Sequence, residues 1–178
     1  MRQSFKSSKG ILSLLLTLLF SVNPQASDIY LIPDDSELVL YKLKRDIRKS
    51  NNIDISTNEF SDKKMFRIII KALNRKGVKV NIILDPDRYS LISKLSIYKG
   101  VMMKTLSGIG GGLMNLNFIL IDNSILYLFS NSLNKISLNQ SYGTVIRFKD
   151  IKTIKSFRKI FNILMKRSST INNYKIVD

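Results

Sequence analysis

With 178 residues, 44% of them hydrophobic and 24% charged, the chain has the size and balance of one globular domain with a full core. It contains no cysteine and no histidine, which excludes disulfides, thiolate chemistry and, within this chain, any step that needs an imidazole as base, nucleophile or metal ligand. Its 29 Lys and Arg against 13 Asp and Glu leave a formal charge of +16. That excess favours polyanionic partners, although a chain rich in Ile, Lys and Asn carries part of it as composition bias.

Arg2, Lys6 and Lys9 precede an apolar run over 11–22, and Asn23-Pro24-Gln25-Ala26-Ser27 follows. A basic segment, a short apolar run and a polar stretch ending in small residues form the pattern of a secretory signal peptide, expected over 1–26 with cleavage after Ala26. Pro24 fits a cleavage site poorly, so an uncleaved membrane anchor is the alternative. Either way the domain is expected to be exported, to the periplasm or beyond the cell. A short strand is expected at 28–32. Asp34, Asp35 and Ser36 are N-cap types ahead of a helix with Val39, Leu43 and Ile47 on one stripe. A strand follows at 53–57. Ser61 or Asp62 caps a second helix, whose stripe is Met65, Phe66, Ile69, Ala72 and Leu73. Arg75-Lys76-Gly77 is a helix C-terminus.

Residues 78–84 are apolar enough for a strand buried on both faces. Asp85 and Asp87, separated by Pro86, fit a turn and a helix cap. No third ligand accompanies them, so no metal and no cofactor is expected. A helix ending at Gly100, a strand over 101–106 and a flexible glycine loop over 107–112 come next. Two strands, 113–121 and 125–129, flank the turn Asp122-Asn123-Ser124. A polar loop over 130–140 leads to a strand at 142–148. Asp150 caps a last helix with Ile151, Ile154, Phe157, Phe161 and Leu164 facing inward, and a loose polar tail covers 168–178. Alternating strands and helices imply an α/β domain over 27–167, with a mixed, largely parallel sheet and helices on both faces.

Two stretches resemble a known family. Residues 72–85 (ALNRKGVKVNIILD) are similar to the helix-to-strand segment of the phospholipase D superfamily. Residues 111–122 (GGLMNLNFILID) resemble the strand that carries its HxKxxxxD motif, with the spacing kept. Residues 125–133 (ILYLFSNSL) stand where that family has its GSxN turn. Order and size are most similar to the small single-motif, Nuc-like endonucleases and phosphodiesterases.

The resemblance implies a phosphohistidine mechanism, in which a lysine and an asparagine hold the phosphate, a serine assists and an aspartate positions the histidine. It also implies a dimer in which two motifs form one site. At the matching positions this chain has Asn115 for the histidine, Asn117 for the lysine, Asp122 for the aspartate and Ser130 for the serine. A later Asn and Glu pair of the family falls near Ser141 and Gly143. An amide is no nucleophile towards phosphorus and brings no positive charge to it, so the family's hydrolysis is expected to be lost.

Asn115 and Asn117, two apart on a strand, share one side and either donate to a phosphate or pair with polar neighbours. Asp122 and Ser130 are either remnants of the site or turn formers. The glycine loop could also present N–H groups to an anion, although it lacks a P-loop lysine. Lys152, Lys155, Lys159 and Lys166, with Arg158 and Arg167 near, recur at helical spacing on the last helix, as a phosphate-contacting or a solvated face. The expected function is a degenerate domain that binds nucleic acid or anionic phospholipid, as a homodimer or with an active paralogue. The alternative is an active phosphodiesterase using Ser130, Asp122 or a partner's histidine.

Overall fold

The computed structural model describes residues 27–86 and 91–170. The expected signal segment, the start of the helix after Pro86 and most of the tail lie outside them. In chain order the elements are β1 (Asp28–Ile32), α1 (Ser36–Ile47), β2 (Asn52–Thr57), α2 (Lys63–Leu73), β3 (Lys79–Leu84), a 3-10 segment (Leu91–Ile97) and β4 (Val101–Thr105). A 3-10 turn (Ile109–Gly111), β5 (Asn117–Ile121), β6 (Ile125–Phe129), α3 (Lys135–Asn139), β7 (Gly143–Phe148), α4 (Ile151–Arg167) and β8 (Ser169–Thr170) complete the domain.

The strands form one mixed sheet in the order β1-β7-β6-β5-β2-β3-β4-β8. β2, β3 and β4 pair in parallel, and every other neighbouring pair is antiparallel. Strands β1, β2, β3, β4 and β6 therefore point one way, while β5, β7 and β8 return. The expected mixed sheet with helices on both faces is present, but it is not largely parallel: only β2, β3 and β4 are joined by parallel crossovers, and the strands around them pair antiparallel.

One face is covered by α1, α2 and the 3-10 segment. Val39, Leu43 and Ile47 of α1 and Met65, Ile69 and Ala72 of α2 bury against Ile53, Ile55, Val80 and Ile82. The spacing that predicts these stripes is the spacing that packs them. Asp62, rather than Ser61, caps α2 by accepting from the Met65 N–H at 2.8 Å. At α1 the expected cap does not form. Asp35 instead accepts from the Leu31 N–H at 2.9 Å, and Ser36 donates to the carbonyl of Leu138 at 2.6 Å.

The other face is covered by α4. Asp150 caps it, accepting from the Thr153 N–H at 2.7 Å, and that bond holds its carboxyl below the ordinary aspartate value. Phe118 of β5 meets Phe157 and Phe161 edge-on at 5.3 and 6.2 Å. Ile154, Phe161, Phe157 and Leu164 face inward as expected, but Ile151 is exposed because it opens the helix at the sheet margin. Ser168 is buried, and Ser169 and Thr170 pair with β4, so the tail begins later than expected. Among the described residues no helix is long and apolar enough to cross a membrane.

Two buried polar networks tie helices to the sheet. On the α1 side, Arg147 of β7 donates to Asp46 at 2.7 Å, to Asp28 at 3.1 Å and to the Tyr127 hydroxyl at 3.1 Å, and Tyr127 donates to Asp46 at 2.6 Å. Burial, then the bond to Asp46, pushes the Tyr127 hydroxyl well above the ordinary tyrosine value. Burial alone would raise the Asp28 carboxyl, but Tyr30 and Arg147 outweigh it and lower it. On the α4 side, Arg158 pairs with the fully buried Asp54 of β2, which also accepts from Asn81 at 2.6 Å and Asn52 at 2.7 Å.

Candidate functional site

The carboxyl ends of β2 and β3 lie beside the start of β5, the end of β6 and the start of β7. Antiparallel pairing produces this meeting: Ser56 stands opposite Phe118, and Asn117 opposite Phe129. The carboxyl ends of parallel strands are where open α/β sheets gather ligands.

Asn117 opens β5 and is only 3% exposed. Its Oδ1 accepts from the Thr57 hydroxyl at 2.9 Å and from the Asn58 backbone N–H at 3.2 Å. Its Nδ2 points to Asn115 Oδ1 at a long 3.4 Å. Residues 113–116 are not strand, so the expected alternation does not apply to Asn115. Asn115 is exposed in the connection while Asn117 is buried, yet the two amides meet.

Around them, Asp85 at the end of β3 accepts from the Met114 N–H at 2.9 Å, which folds the connection back over β3. The Glu59 carboxylate accepts from the Ser61 hydroxyl at 3.1 Å and the Asn134 amide at 2.9 Å. Asn58 is 7% exposed, and its Oδ1 finds no hydrogen-bond partner among the described residues.

Ser130 closes β6 at this same end. Its Oγ accepts from the Thr144 N–H at 2.8 Å and donates to Asn131 Oδ1 at 3.3 Å. Gly143 passes so close that a Cβ there would lie 2.4 Å from Asn131 Nδ2 and 2.8 Å from Ser130 Oγ. A side chain at Gly143 would have to push the Asn131 and Ser130 side chains aside.

Asp122 stands apart. It lies at the other end of β5, five residues or about 16 Å of extended chain from Asn117. With φ of 48° at Asp122 and 56° at Asn123, the pair forms a left-handed hairpin turn that Asp and Asn tolerate best. Its carboxylate accepts from the backbone N–H groups of Asn52 at 2.7 Å and Asn51 at 2.9 Å, bracing the entry to β2. An Asp122→Ala variant is expected to lose about 1 kcal/mol in urea unfolding, the net worth of hydrogen bonds that water can replace once the carboxylate is gone.

The glycine loop is closed on itself rather than open. Gly108 N–H donates to the Gly112 carbonyl at 2.6 Å and Gly112 N–H to the Ile109 carbonyl at 3.3 Å, so neither faces an anion. On α4, Lys152, Lys155, Lys159 and Lys166 are exposed, but Arg158 turns inward to Asp54. The helix starts at the Asp122 end, where Arg158 also reaches Asn123, and finishes at the asparagine end, where Ser169 pairs with Thr105. Lys152 and Lys155, in its first turns, are therefore not brought to Asn115 and Asn117. Thr57, Asn58 and Glu59 are site-end residues that the sequence did not single out, and Asp85, which the sequence offers as a turn former, joins them by binding the Met114 N–H. Their position directly after apolar strand runs was the available signal. Among the described residues no group of three or more His, Cys, Asp or Glu is placed to hold a metal ion.

The family model described as "Cardiolipin synthase, PLD-like domain" matches residues 43–165, and the chain belongs to that family of the phospholipase D superfamily. NucT from Helicobacter pylori superposes with a TM-score of 0.76 at 22% identity, covering 82% of this chain and 99% of that one. Nuc from Salmonella typhimurium, a phospholipase D family member, gives 0.68 at 17% identity over 83% of this chain and 99% of its own. TrmBL2, an archaeal chromatin protein, gives 0.58 at 20% identity over 92% of this chain and 61% of its own. At such identities the likeness is one of fold. No curated protein matches the chain by sequence.

Proposed function

We propose that this PLD-like domain no longer carries out the family's histidine-dependent phosphodiester hydrolysis and acts by binding a phosphate-bearing polyanion, nucleic acid or anionic phospholipid, through its basic surface. The observation that carries the reading is Asn117. In the position of the family's lysine it is buried, uncharged and already engaged by Thr57 and the Asn58 backbone. Two further features support it. The Ser130 hydroxyl is held between Thr144 and Asn131 with no base beside it among its hydrogen-bond partners, and Asp122 sits at the wrong end of β5 to substitute as nucleophile.

A dimer through the asparagine end is part of the proposal. Leu113, Leu116, Ile109, Ile136 and Tyr142 are all exposed in the segments around it, which favours their burial against a second copy or a paralogue. Export rests on the pattern of residues 1–26.

The test is fluorescence anisotropy of a labelled oligonucleotide, and vesicle co-sedimentation, across a salt series. With three phosphate contacts, affinity is expected to fall roughly 40-fold between about 50 and about 200 mM salt. Undetectable or salt-insensitive binding of both ligands would sink the reading.

A further inference from the structure

α1 and α2 leave a groove between them on the outer surface, far from Asn115 and Asn117 in chemistry. One hollow of about 310 Å³ is floored by Leu40 and Ile68 and rimmed by Tyr41, Lys44, Arg67 and Lys71. It continues along α1 into a second hollow of about 170 Å³, over Ile47 and Ala72, between Lys44, Arg48 and Lys71. Arg75 closes that end, its guanidinium donating to the carbonyls of Ile47 and Ser50 at 2.8 and 2.9 Å.

The charge here is not neutralised. Lys64 pairs with Glu37, but Lys44, Arg48, Arg67 and Lys71 have no carboxylate partner among the described residues. Beside them Tyr41 of α1 is exposed. Cations whose aliphatic stems line an apolar floor, with a tyrosine at the surface, suit a boundary that is anionic outside and apolar within. A nucleic-acid backbone would use the cations and gain nothing from the floor.

The position of the groove agrees with this. Its Arg48 end is the carboxyl end of α1, where Arg147 holds both Asp46 and Asp28. Asp28 begins β1, and only the five residues 23–27 separate it from the apolar run over 11–22. Five extended residues reach at most about 18 Å. Whenever that run remains attached, it joins the domain at the same end as the groove's cations.

We infer that the α1–α2 groove is a docking surface for an anionic phospholipid bilayer: Lys44, Arg48, Arg67 and Lys71 take headgroup phosphates, and Tyr41 enters the interface. This rests on the phosphate-binding reading above and names its surface and its partner. Because this fold makes up 99% of the NucT chain, residues 27–178 contain a whole folding unit and can be tested without the apolar run.

The experiment is co-sedimentation of residues 27–178 with vesicles of phosphatidylcholine alone or mixed with phosphatidylglycerol, alongside anisotropy with a labelled DNA duplex. Binding is expected only to the phosphatidylglycerol vesicles. Lys44→Gln with Lys71→Gln should lower it about 30-fold, at about 5-fold per lost cation. Lys152→Gln with Lys159→Gln should leave it within about 2-fold, and Tyr41→Ser should weaken it without changing its salt slope. Thermal melts confirm that these surface variants stay folded. Equal binding to phosphatidylcholine vesicles, or a groove variant that binds as the parent does, overturns the proposal. DNA binding lost in the groove variant, with no vesicle binding, overturns it too but leaves the phosphate reading standing. Absence of binding to either probe removes both.

Discussion

Replacing Arg147 by methionine should cost about 3–5 kcal/mol, the most damaging single change expected in the domain. The guanidinium is 2% exposed and holds Asp46, Asp28 and the Tyr127 hydroxyl at once. Removing it leaves the Asp46 carboxylate, almost wholly covered by α1 and β7, with the Tyr127 hydroxyl and the exposed Arg45 for company. A domain with total stability of about 5–15 kcal/mol would be partly unfolded at ambient temperature after such a loss. The physical cause is the stranded charge, not the loss of attraction as such. The triple change Arg147→Met, Asp46→Leu and Tyr127→Phe should therefore recover most of the deficit, because well-packed apolar groups replace a buried pair at little cost. Urea midpoints of the parent, single and triple variants decide it. A single variant within about 1 kcal/mol of the parent would mean that the network contributes little.

The second large effect belongs to Asp54. It sits in the middle of β2, fully buried, with Arg158, Asn81 and Asn52 all donating to it. Asp54→Leu leaves the Arg158 guanidinium without its counterion, and one of its nitrogens, Nη2, already has no partner among the described residues. A loss of about 3–5 kcal/mol is expected. Because Arg158 is the ionic tie between α4 and the sheet, the loss should be local as well as global. Amide exchange in α4 should accelerate more than exchange in β2 and β3. Uniform acceleration would show that the pair does not anchor α4 in particular.

Much of the architecture was legible because burial writes itself as spacing. Val39, Leu43 and Ile47 recur every four residues and pack as one stripe, and Asp122-Asn123 takes the left-handed turn that those residue types favour. What was hidden depends on partners distant in sequence. Arg158 reads as one more cation among Lys155 and Lys159, yet it lies four residues after Ile154 and three before Phe161, on the inner stripe, where only Asp54 across the sheet explains it. The irregular path of residues 113–116 is equally invisible locally, since Leu113 and Leu116 suit a strand. They leave it because the Met114 N–H binds Asp85, the residue that ends β3. The site positions were legible as a resemblance. That Asn117 is spent on Thr57 and Asn58, and that Asp122 braces β2, required the fold.

The most direct test of the central claim is hydrolysis of bis(p-nitrophenyl) phosphate and plasmid DNA by purified residues 27–178, with and without EDTA. No turnover above buffer is the predicted result, with Ser130→Ala and Asn115→Ala indistinguishable from the parent. Turnover that co-purifies with the protein and is lost on Ser130→Ala or Asn115→Ala would contradict the account, and would mean that phosphodiester chemistry persists at this end of the sheet without a histidine.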